Sequence, residues 1–299
     1  MSFIKGFIAA IIGLLLFVVL LLISLAFFLD RTLLNRDFAV GELERSDAVG
    51  LATETVLKNL PQESRPYAPA VASSLEELRP WFLQQARDAI NAGYDFLFGR
   101  SERFQLAIQT DPVRQSLLRH LRQFVRDNPP PEIRNLAPAD RERATADFER
   151  DLPNRVQFNP VYRIDADSLS ADARDALVRV REALGHFRMA YNLAIGAAVV
   201  LALCLVLLRR STLSLGIVLL VVSAVDFGAW ALARAIPASI PPDQAIPEGL
   251  RAYLPQLIEH LMEPVWQFGV YAGVAGLVAI VVAIAVGLNR KASGSQATA

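Results

Sequence analysis

Asp226 stands at the centre of VVSAVDFGAWALARA, Val221 to Ala235, an apolar stretch of membrane character, and a carboxyl group in that setting is where chemistry is sought first. About nine residues separate it from Ala235, which at 1.5 Å per residue sets it roughly 14 Å from the end of the run. An ionised acid at that depth is costly unless it is protonated, paired or reached by water. Ser223, one turn earlier, Tyr271 and Asn192 are candidate partners, whereas Arg234, eight residues on, is too far for a direct pair. Two uses compete. One is a proton or cation site in a small pore or carrier; the other is a hydrogen bond between helices, worth about 1 kcal/mol. The second is expected, because a carrier carries several intramembrane polar groups or broken helices and this chain has neither in quantity. Asp226→Asn is then neutral or mildly destabilising.

Other reactive constellations are missing. An intramembrane aspartyl protease needs two facing acids sharing a proton, and here there is one. No HExxH, GxSxG, CxxC, Walker or dinucleotide-type glycine motif occurs, so no catalytic residue, cofactor or metal is assigned and the chain is not read as an enzyme. His120, His186 and His260 are scattered; His186 and His260 could meet Glu259 near a membrane surface as a metal or pH-sensing site, but solvated histidines are expected. Arg119, Arg122 and Arg126, with Arg114 earlier, form a basic stripe that could grip an anionic polymer or lipid, and pairing with local acids is the ordinary fate of such a stripe.

These residues need elements to hold them. Hydrophobic residues make up 53% of 299 positions, too many for an ordinary soluble domain. They gather into four runs, Gly6 to Leu29, Met189 to Leu208, Leu213 to Ala235 and Val265 to Leu288, each long enough to cross a bilayer. The first is too long for a cleaved signal and reads as an uncleaved anchor. In the fourth, Gly269 with Gly273, Ala272 with Gly276, and Ala275 with Ala279 give small-xxx-small spacing, a helix-packing signature expected to act within the bundle. Cys204, within the second run, is read as a small hydrophobe.

Lys5, Arg209 with Arg210, and Arg290 with Lys291 flank the ends that share one side, and the short segments holding them contain no acid. The positive-inside rule makes that side the cytoplasm. Overall, 30 basic residues balance 30 acidic ones, which gives no field to recruit nucleic acid. With no cysteine beyond Cys204, the outer region is held without disulfides.

The expected layout is therefore 1–29, cytoplasmic N-terminus and first span; 30–188, outer domain; 189–208, second span; 213–235, third span; 236–264, outer loop; 265–288, fourth span; and 289–299, cytoplasmic tail. Within the outer domain, SDAVGLATETVLKNLP starts on a Ser/Asp cap, PWFLQQARDAINAGYDFLFG has Pro80 in its first turn and Gly99 at its end, and Val113, Leu117, Leu121 and Val125 form a helical stripe. RFQLAIQT and NRVQFNPVYRID alternate and could pair as a ribbon, the second through Val156 and Phe158 before Pro160. From Ser168, with Ser170 as cap, one helix is expected to run unbroken through Gly185 into the second span. In the outer loop, Leu250, Tyr253, Leu254, Leu257, Ile258, Leu261 and Met262 share one helical face, with Pro247 at its start and Pro255 as a bend.

The fold class is mainly α: a four-helix transmembrane bundle with a predominantly helical extracytoplasmic domain inserted between helices 1 and 2, carrying a small β-ribbon. The expected protein is a multi-pass plasma-membrane protein with both termini cytoplasmic. Its expected role is non-catalytic, binding or organising an envelope protein or polymer, or sensing, in contact with the lipid bilayer and not with nucleic acid. The alternative is a transporter or channel subunit using Asp226. Oligomeric state is not legible.

Overall fold

The computed structural model describes residues 2–156, 159–165, 170–209, 212–236 and 248–296. The chain is mainly helical, with a two-stranded sheet, and four of its helices are long and apolar enough to cross a membrane. Cα proximity divides it into two compact units, Met1–Ala39 with Glu182–Ala299, and Val40–Arg181. The expected starts at Ser168 and Pro247, the strand residue Phe158 and the flanking Arg210 lie outside the described residues.

The first unit holds the spans. Helix α1 (Ser2–Arg31) is apolar on every side, as a helix facing lipid must be. Ala9, Leu16 and Ile23, seven residues apart, form one buried cluster with Ala198 and Leu205, also seven apart, on α9 (Ala171–Arg209). A seven-residue repeat keeps one seam of a helix on its neighbour. Leu14 and Leu207, 64% and 74% exposed, lie off that seam, where water would penalise them and acyl chains would not. Helix α10 (Leu213–Ala235) and α11 (Glu248–Gln296) make the tightest approach. Gly216 and Gly276 stand where an added Cβ would meet backbone atoms of the facing helix at 2.8 and 2.9 Å. Thr212 adds a hydrogen bond from its hydroxyl to the Ala279 carbonyl, 2.7 Å.

Two boundaries differ from expectation. The outer-loop helix and the fourth span are one element, because α11 runs through Pro255 and Pro264 and on through the expected tail to Gln296. Proline removes one N–H and crowds the preceding turn, yet long helices tolerate it where neighbouring groups compensate. By contrast, α9 is continuous through Gly185, as expected, and Ser170 caps it by accepting the Ala173 N–H at 3.3 Å.

In the second unit, α2 (Arg36–Arg45), which begins in the first, and α3 (Ala48–Lys58) are followed by a 3-10 turn (Gln62–Tyr67), α4 (Ala68–Glu77) and α5 (Arg79–Leu97). Asp47 caps α3 through the Gly50 N–H. Helix α5 ends on Gly99, whose φ of 71° belongs to the left-handed region, so that Arg100 N–H reaches the Asp95 carbonyl at 2.8 Å. Strand β1 (Gln105–Gln109) leads to α6 (Asp111–Asp127), the short α7 (Pro131–Arg134), α8 (Pro138–Arg155) and β2 (Val161–Asp165). The strands pair antiparallel, Gln105 opposite Asp165 and Gln109 opposite Val161. The second strand thus follows Pro160 instead of containing Val156, which closes α8; proline has no N–H for a ladder and starts the strand from outside. Leu118 and Leu121 of α6, Ala70 of α4 and Leu152 of α8 form the core, with Leu117, Phe124 and Phe148 against it. Of the expected α6 stripe, Leu121 and Val125 are buried and Leu117 packs against the core, while Leu118 joins the core from outside the stripe.

Candidate functional site

Asp226 is buried on the inner face of α10, and its partner comes from α1. Ser24 Oγ donates to Asp226 Oδ1 at 2.9 Å, with both residues 4% exposed. Among the described residues no group hydrogen-bonds to Oδ2. Ser223 lies one turn away and is equally buried, against Gly273, where a Cβ would come within 2.8 Å of its hydroxyl. Gly269 leaves room for the Asp226 side chain, a Cβ there falling 3.2 Å from Asp226 Cβ. The arrangement joins α1, α10 and α11 around one carboxyl group.

Two expected partners are not brought to it. Tyr271 is 64% exposed and Asn192 is exposed, so neither hydroxyl nor amide reaches the acid. On α11 the glycines at 269, 273 and 276 take the face towards α10, and Tyr271, between two of them, is carried round to the other side. Ser24 was missed although it is the sole hydroxyl side chain between Gly6 and Leu29. That isolation was the available signal.

Ser24→Ala should destabilise the bundle by about 0.5–1.7 kcal/mol, the range of interhelical hydrogen bonds in membranes. Asp226→Asn, which keeps an acceptor oxygen for Ser24, should cost less. Thermal unfolding in one detergent compares them, and a Ser24→Ala variant as stable as wild type would dismiss the bond as a contributor.

The second unit offers a concave surface. Leu43, Val49, Val56, Leu75, Phe82 and Leu83, from α2, α3, α4 and α5, line most of an apolar groove of about 210 Å³. Ion pairs tie the segments that supply its lining, Arg87 to Glu44 at 2.6 Å and Arg79 to Asp47 at 2.6 Å. Apolar concavity with a few polar groups at its margin is the usual form of a binding site.

Polar clusters also join the helices of this unit. Glu77 of α4 accepts from Ser116 Oγ at 3.0 Å and Arg119 Nη1 at 2.7 Å and shares a hydrogen bond with His120 Nε2 at 2.8 Å, while Ser74 Oγ donates to Ser116 Oγ at 3.1 Å. Ser116 faces the acid and not the histidine, an arrangement different from a serine–histidine pair. Arg126 forks onto Glu149 at 2.6 and 2.8 Å. Two members of the basic stripe are therefore spent on local acids.

The hydrogen bonds with His120 and Ser116, then Arg119, hold the Glu77 carboxyl below its usual range, and Arg126 does the same for Glu149. A lowered folded-state pKa gives stability that is present above the unfolded value and lost as pH falls through the folded one. Stability of the whole chain should accordingly decline below about pH 4.3, the ordinary Glu value. Glu77→Gln should flatten that acid limb, as read by pH-resolved thermal melts; an unchanged limb would contradict the assignment.

His186 turns to its own helix, where its Nδ1 hydrogen-bonds the Glu182 carbonyl at 2.8 Å. His260 instead lines a cleft with Glu259, Glu263, Arg234, Trp230 and Trp266. Among the described residues no group of three metal-ligating side chains converges. Cys204 is half-buried in α9. Comparison of the chain with protein-family models, with curated protein sequences and with solved structures gives no match.

Proposed function

We propose that the protein is a multi-pass plasma-membrane protein that displays its Val40–Arg181 unit outside the cell as a non-catalytic binding domain for an envelope protein. The apolar groove of that unit carries the reading. The groove lining is apolar apart from Thr53, and the ion pairs between the segments that supply it bring both signs of charge to its neighbourhood, which suits an apolar polypeptide segment flanked by mixed charges better than an anionic polymer. Orientation rests on Lys5, Arg209, Arg210, Arg290 and Lys291, whose position at one end of the spans supports cytoplasmic termini by the positive-inside rule. The Ser24 to Asp226 bond favours a packing role for the intramembrane acid.

A photo-crosslinking residue at Ala52, on the groove wall, should give one discrete polypeptide adduct in intact cells. The same residue at exposed Arg143 on α8 should not. Thr53→Arg, which sets a charge in the groove, should abolish the adduct. Equal patterns from Ala52 and Arg143 would overturn the assignment.

The unbonded Asp226 Oδ2 supports a second reading, a transporter or channel subunit. Its test is ion flux in liposomes, lost on Asp226→Asn.

A further inference from the structure

We propose that the cleft at the adjoining ends of α10 and α11 binds the headgroup of a phospholipid carrying both a phosphate and a primary ammonium. The cleft, of about 380 Å³, is lined by Trp230, Arg234, Glu259, His260, Glu263 and Trp266. Arg234 is the penultimate residue of α10, so the site lies where an apolar span gives way to polar surroundings. Tryptophan concentrates at that level of a bilayer. Here Trp230 and Trp266 pack 5.1 Å apart, and Trp266 rests on Phe227 at 4.7 Å.

The charges select the ligand. Arg234 pairs with Glu259 and lies over the Trp230 ring at 4.1 Å, yet its side chain is 44% exposed. A guanidinium has five N–H donors, and those not used by Glu259 suit a phosphate. Glu259, 58% exposed, and exposed Glu263, held by Gln267 at 3.2 Å, supply carboxylates for a cation. A simple anion meets two acids and a simple cation meets an arginine, whereas a zwitterion satisfies both. Between zwitterions, a primary ammonium donates hydrogen bonds to carboxylates. A trimethylammonium donates none and needs open aromatic faces, and the Trp230 face is already covered by Arg234.

The test is native mass spectrometry of the full chain in detergent with equal amounts of phosphatidylethanolamine, phosphatidylcholine and phosphatidylglycerol. Phosphatidylethanolamine should be retained about tenfold over the others, the factor carried by one charge-assisted hydrogen bond. Glu263→Gln, isosteric and exposed, should remove that preference without lowering the melting temperature, and Arg234→Lys, which keeps the charge but loses the fork, should weaken it. Equal retention of the three lipids, or a preference unchanged by Glu263→Gln, would overturn the proposal. Displacement of the lipid by free phosphoethanolamine at comparable concentration would replace the lipid with a soluble ligand.

Discussion

Replacing Gly276 by alanine is expected to destabilise the membrane bundle by about 1–3 kcal/mol, the usual cost of overpacking a close interface. The added methyl would stand 2.9 Å from the Gly216 carbonyl oxygen and 3.1 Å from the Leu220 amide nitrogen. Both are backbone atoms, so α10 must move away from α11 to accommodate it. Gly216→Ala should behave alike, meeting Ile280 Cγ1 at 2.6 Å and the Gly276 carbonyl at 2.8 Å. Gly273→Ala is the informative control. Its methyl meets first the Ser223 hydroxyl at 2.8 Å, the tip of a side chain that can rotate, and the cost should be clearly smaller. Thermal unfolding of the three variants in one mild detergent ranks them. If Gly273→Ala proved as damaging as Gly276→Ala, the close approach of α10 to α11 would be wrongly placed.

The largest effect in the Val40–Arg181 unit is expected from Leu121→Ala, at about 2–5 kcal/mol. Leu121 is buried in the cluster that joins α6 to Ala70 of α4 and Leu152 of α8, and truncation leaves a cavity whose walls belong to three helices. The adjacent Arg122 is exposed, and Arg122→Ala should stay within about 0.5 kcal/mol. Hydrogen exchange on the full chain reads both, because the loss should be confined to amides of α4, α6 and α8. Equal protection in the two variants would contradict the packing of α6.

What the sequence disclosed follows from which signals survive in each environment. Four spans were visible because sustained apolarity has no other use at that length, and the α6 stripe was visible because water on one side makes periodicity sharp. Caps at Asp47 and Ser170 and the stop at Gly99 were legible for local reasons, since each depends on a few adjacent residues. Within the spans, lipid is as apolar as a packed neighbour, so periodicity no longer separates the face that touches protein from the face that touches acyl chains. That is why Tyr271 and Asn192 were matched to Asp226 by depth while Ser24 was overlooked. Small-residue spacing pointed to Gly269, Gly273 and Gly276 but named no partner, because Gly216 belongs to a different helix and spacing is counted along one. Pro255 was expected to bend an outer-loop helix distinct from the fourth span, whereas α11 runs through it and through Pro264 as one element. The apolar groove had no sequence signature, being assembled from single faces of α2, α3, α4 and α5.

The central claim, an outward-facing binding domain on a bundle with both termini inside, is tested most directly by cysteine labelling in intact cells. Cys204 is the only native cysteine and lies within a span, so its replacement by alanine gives a clean background. Arg143→Cys, at an exposed position of α8, should react with a membrane-impermeant maleimide before permeabilisation, and Ser293→Cys, beyond Lys291, only after it. The reverse pattern would place the groove in the cytoplasm and contradict the account.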